Sequence, residues 1–90
     1  SGEGEMRIEE IKIDAGSPVK GKTLRETGIG EHTGALVIGI TRSGGVTSMN
    51  PTENARLSSM VLNEGDVLIA LGSGEQLDRL RSFVNKGKSS

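Results

Sequence analysis

The chain has no cysteine, no tryptophan and no tyrosine, and its only aromatic carbocycle is Phe83. Without cysteine, disulfide frameworks, thiolate metal sites and thiol nucleophiles are excluded, and a reducing compartment fits. Without large rings the core must be thin. A single domain of 90 residues buries only about 60–65% of the surface its unfolded chain exposes, so a partner subunit or a larger parent protein would help to stabilise it. Charge of one sign is also missing, with 11 basic against 12 acidic residues. No basic stripe with interleaved aromatics is present, so no nucleic-acid partner is expected. No apolar run approaches the ~20 residues of a membrane span. The opening Ser1-Gly2, with no initiator Met, reads as a cloning scar on a piece of a longer protein. Residues 1–5 are expected to be a flexible N-terminus, 6–87 the domain and 88–90 a flexible tail.

What is present follows a clear order. "MRIEEIKID" (6–14) alternates like a strand, with a slip at Glu9-Glu10 that predicts a bulge there. "AGSPVKGK" (15–22) is loop. "KTLRETG" (22–28) predicts one or two helical turns stopped by Gly28. "ALVIGITR" (35–42) is apolar from Ala35 to Ile40, "SGG" (43–45) is a hairpin turn and "VTSMN" (46–50) the return strand. A strand without alternation is covered on both faces. The domain's own helices can cover one face, and a second subunit is the simplest cover for the other. In "PTENARLSSMVLNEG" (51–65), Asn54 can cap a single turn reaching Ser59, and Leu57, Val61 and Leu62 are expected to point back to the core.

Gly65-Asp66 then supplies a turn and Val67 to Leu71 a buried strand. Ser73 is a good N-cap, and Gln76 three residues later completes a capping box. The helix that follows places Leu77, Leu80 and Val84 on one stripe, with Gly87 closing it. The expected fold class is α+β: a small, mainly antiparallel sheet with two helices on one face, forming a dimer.

Residues for catalysis are scarce. His32 is the only histidine, in the loop "GEHTG", and alone it makes neither a metal site nor a triad. Glu9 and Glu10 are adjacent on a strand, so their side chains diverge. "GIGEHTG" (28–34) has Thr33 where the dinucleotide fingerprint needs a third glycine, and it follows a helix rather than a strand. No Gly-Lys-Ser/Thr follows "SGEGE" or "GSGEQ". No enzyme, metal site or required cofactor is expected.

Four stretches in sequence, "GSPVKGKTLRETGI", "TGALVIGITRSGGV", "NP" and "LNEGDVLIALGSGEQLDRL", together resemble the TrkA-C domain. This is the C-terminal RCK domain of regulators of potassium conductance and transport. The resemblance covers about residues 7 to 84, although Pro51 to Gly65 is several residues longer than is usual there. It implies a cytosolic, non-catalytic regulatory module that pairs as a homodimer. Such a module belongs to a potassium channel, uptake system or cation antiporter, on the same chain or a partner chain, and in several members a small ligand binds at the pair's interface. Cyclic di-AMP is the ligand of some. Carried over residue by residue, Val37 and Ile38 would pack on the adenine, Arg42 would add polar contacts, and Asn50 and Pro51 would lie nearby. An alternative makes Val37 and Ile38 interface core and Arg42 a strand-end charge, in an assembly domain without a ligand. A third reading is a PDZ-like peptide-binding module, since Gly-Asp before a strand and helix occurs there too; the chain lacks a Gly-Leu-Gly-Phe-like carboxylate loop.

Overall fold

The computed structural model describes residues 4–49 and 54–85. In chain order the elements are β1 (Arg7–Lys12), α1 (Leu24–Thr27), α2 (Ile29–Thr33), β2 (Leu36–Thr41), β3 (Thr47–Ser48), α3 (Asn54–Ser58), β4 (Val67–Gly72) and α4 (Gly74–Val84). The strands form one antiparallel sheet in the order β1-β4-β2-β3. The central β4 is therefore the last strand in sequence, so the sheet closes only when the C-terminal part of the chain arrives.

Register assigns the two faces. On one face Ile11 lies beside Leu68, and Ile40 flanks Leu68 on the other side. Ala70 lies beside Val37. These residues are buried against the stripe of α4, where Leu77, Leu80 and Val84 are wholly buried. Burying an aliphatic side chain of this size is worth roughly 1.5–3 kcal/mol, so this layer is the main source of stability. α4 begins as expected. The Ser73 hydroxyl accepts from Gln76 N–H at 3.1 Å, and Ser73 N–H donates to Gln76 Oε1 at 2.9 Å. Gly87 lies outside the described residues; the helix ends at Asn85, whose N–H donates to the Arg81 carbonyl.

The helical layer contains more than the two expected helices. Gly28 does stop α1, with φ +66° and its N–H donating to the Arg25 carbonyl. A left-handed backbone suits glycine, which has no Cβ to clash. The chain then turns straight into α2, so "GIGEHTG" is helical rather than loop. His32 stacks on Phe83 with ring centroids 4.9 Å apart, joining α2 to α4. The capping box of α1, Thr23 with Glu26, has the same form as that of α4.

Two local expectations change. The bulge is not in β1, whose register with β4 is unbroken from Arg7 to Lys12. It falls in β2 between Val37 and Gly39, leaving Ile38 without a partner on β4. Val61 is exposed, whereas Leu57 and Leu62 are buried as expected. Val61 instead sits opposite Thr23 in a short bridge. Leu62 N–H donates to the Lys22 carbonyl and Leu24 N–H to the Met60 carbonyl, which sets the exit of α3 beside the entry of α1.

Candidate functional site

The second face of the sheet is built from the odd positions of β4 and their neighbours. Ile8 and Leu36 both flank Leu71, so the three side chains form one row across β1, β4 and β2. Ile8 is 63% exposed and Leu36 59% on the single chain, so this is the face of β2 for which the sequence predicts cover by a second subunit. The next row runs from Glu10 through Ile69 to Gly39. A Cβ on Gly39 would lie 2.3 Å from Met49 Cγ and 3.1 Å from the Ser48 carbonyl, so glycine is needed for Met49 to cross the strand. The third row is polar, with Lys12 and Thr41 flanking Val67. This face is thus apolar at one end and polar at the other.

The apolar end runs into a groove. Between the first half of β2 and the helices α1, α2 and α3 lies an open cleft of about 940 Å³, within the range typical of small-molecule sites. Leu36, Val37, Ile38 and Met49 form its strand side, with Leu24 and Leu57 among the helical residues. Pairing with β3 involves only Ile40 and Thr41, so among the described residues no strand covers this stretch of β2. The bulge at Ile38 adds to the opening, as bulges beside binding sites do. Charge enters the groove through Arg25 on α1 and Glu31 on α2. Arg25 Nη2 donates to Ser58 Oγ at 3.1 Å, bridging α1 to α3.

Among the sequence-derived site residues, Val37 and Ile38 lie together in this groove. Val37 faces the helices and is 9% exposed, while Ile38 is half-buried. Arg42 does not line the groove. Its Nη1 donates to Asp66 Oδ2 and to the Val61 carbonyl. Asp66 is 1% exposed and also accepts from Asn63 N–H at 2.8 Å, so Arg42 supplies the neutralising charge for a buried carboxylate. Asn50 and Pro51 lie outside the described residues. Sequence reading missed Leu36, Met49, Arg25 and Glu31. Leu36 shared the apolar run with its neighbours, but nothing local indicated that Arg25 would lie near α3.

Among the described residues no group of three His, Cys, Asp or Glu is placed to hold a metal, and no helix is long and apolar enough to cross a membrane. The site is thus an exposed apolar row on the sheet that runs into an open groove of mixed polarity. The TrkA-C domain model matches residues 8–85, and the chain belongs to the TrkA-C domain family. This displaces the PDZ-like alternative. Potassium channel protein 1 of Methanocaldococcus jannaschii is 35% identical over 63 residues, covering 70% of this chain and 17% of that protein. The chain spans less than half the length of the curated relatives it matches, 17% and 43%. The RCK C domain of the potassium transport protein KtrA, solved with cyclic diadenosine monophosphate, is 25% identical with a TM-score of 0.72, over 89% of this chain and 85% of that one. The RCK_C domain dimer of S. agalactiae BusR, solved with the same molecule, has a TM-score of 0.73 at 22% identity, over 89% and 91% of the two chains, and shows the shared fold.

Proposed function

We propose that this domain is a cytosolic regulatory module of a potassium channel or cation transporter. It pairs through the apolar end of its open sheet face and senses a small ligand, cyclic di-AMP being the first candidate, in the adjoining groove. One observation carries the reading: Leu36 belongs both to the exposed Ile8–Leu71–Leu36 row and to the groove wall. A second copy seated on that row would therefore border the groove, and ligand and partner would stabilise each other's binding. The KtrA domain and the BusR dimer, both solved with cyclic di-AMP, support this choice of ligand. The family favours a regulatory role over catalysis.

Leu36→Glu tests the pairing. Sedimentation should shift from dimer to monomer while the circular dichroism spectrum is retained, because the side chain is largely outside the core. A Leu36→Glu protein that remains a dimer would remove this face from the interface. Calorimetry with cyclic di-AMP should give one ligand per two chains. A stable dimer with no heat, and no melting shift across a nucleotide panel, would instead favour the ligand-free assembly reading.

A further inference from the structure

Resting on the ligand-sensing reading above, we infer that Arg25 is the residue that meets the ligand's phosphate, and that Glu31 sets the orientation of the rest of the molecule. Three observations converge on Arg25. It is the cationic side chain lining the groove. It is held at the rim by donating to Ser58 Oγ at 3.1 Å, which takes one of the five N–H donors of its guanidinium. Among the described residues no carboxylate lies within ion-pairing distance of it. A guanidinium fixed on one side, with donors to spare, suits a phosphate, which it can grip with two parallel hydrogen bonds.

Arg42, the arginine singled out by sequence, is placed differently. Its Nη1 is committed to Asp66 and the Val61 carbonyl, and it does not line the groove. Glu31 lines the same groove. Its carboxylate repels phosphate and accepts from N–H or O–H donors, so it selects a ligand that carries both an anion and a donor edge. Leu36, Val37 and Ile38, on the strand side of the same groove, give a planar base an apolar surface. Together these features describe a nucleotide, with its phosphate toward α1 and a donor edge of its base or ribose toward α2.

The test is calorimetry of this chain with cyclic di-AMP at low and high salt, for the parent, Arg25→Ala, Arg25→Lys and Glu31→Gln. Arg25→Ala should bind about tenfold or more weakly and lose most of the salt dependence shown by the parent. Arg25→Lys should recover the salt dependence and part of the affinity, which a merely structural role would not predict. Glu31→Gln should leave the salt dependence of Arg25 in place and weaken binding several-fold. If the parent binds and Arg25→Ala matches it within about twofold at both salts, the assignment of Arg25 is overturned and the sensing role stands. If the parent itself shows no binding, the sensing role falls and this assignment falls with it.

Discussion

β1 and β2 both pair along their length with β4, yet the two strands are finished very differently. At the end of β1, Asn85 Nδ2 donates to the Lys12 carbonyl at 2.9 Å and Asp14 N–H donates to Asn85 Oδ1 at 3.1 Å. The Ser17 hydroxyl donates to the Val84 carbonyl, so the C-terminus of α4 is tied to the chain leaving β1. On the exposed side of α4, Arg81 bridges Glu9 and Asp78. At the start of β2 the pattern is reversed: a bulge, an exposed leucine, and pairing with β3 confined to Ile40 and Thr41. The entry of β2 has its own ties, Ala35 N–H donating to Thr33 Oγ1 and Arg79 Nε to the Thr33 carbonyl, yet this half keeps apolar surface open beside an arginine. The β1–β4–α4 half is closed by these contacts, and under the reading proposed above the open β2 half is the part that binds.

Core truncation gives the largest contrast. Leu80 is wholly buried on the α4 stripe, and Leu80→Ala should cost about 2–5 kcal/mol in urea unfolding. In a domain with a thin core that is a large share of the total. Leu36→Ala, at a side chain 59% exposed, should cost well under about 1 kcal/mol for the monomer. Equal costs at the two sites would abolish the distinction between a closed and an open half.

Arg42 lies on the boundary between them and should give an intermediate effect. Its side chain is 30% exposed while that of Asp66 is 2% exposed. Arg42→Ala leaves the carboxylate with the Asn63 N–H and removes a donor from the Val61 carbonyl. A loss of about 1–3 kcal/mol is expected, read as a lower melting temperature with or without ligand. A variant that melts like the parent but binds cyclic di-AMP poorly would move Arg42 into the binding site and sharpen the boundary in the opposite sense.

What the sequence revealed follows the same division. Ser73, Gln76 and the Leu77–Leu80–Val84 stripe were legible because capping and helical periodicity act over a few residues. Gly28 as the end of α1 was legible for the same reason. The bulge was placed in the wrong strand because the slip at Glu9-Glu10 resembled one. In fact Glu9 turns to Arg81 on the helix side, and Glu10 faces outward beside Ile69. In β2 the continuous apolar run concealed the real bulge, since no polar residue marked the change of face. α2 was missed because "GIGEHTG" is rich in glycine, and its helix is set by packing on α4 rather than by propensity. The groove was the least legible feature. It exists because α1 and α3, far apart in sequence, are joined by backbone hydrogen bonds through residues 60–62.

The two capping boxes offer the finest comparison, because one closes with an amide and the other with a carboxylate. α4 on the closed half is capped through the amide of Gln76, and α1 beside the groove through the carboxylate of Glu26. Glu26 accepts from Thr23 N–H at 2.8 Å, and this bond, followed by the Thr23 hydroxyl, holds its carboxyl below the ordinary glutamate value. The unfolded chain therefore takes up the proton first as pH falls. The contribution of this cap is complete above the ordinary value and is lost as pH drops through the depressed one. Glu26 is fully exposed, so the effect on global stability is small. Locally it should be visible in amide exchange: protection at Thr23 falls on acidification, while protection at Ser73 stays level until the whole domain opens. Glu26→Gln should make the two caps behave alike. If Thr23 loses protection at the same pH in that variant, the loosening comes from the rest of the α1 wall and not from its cap.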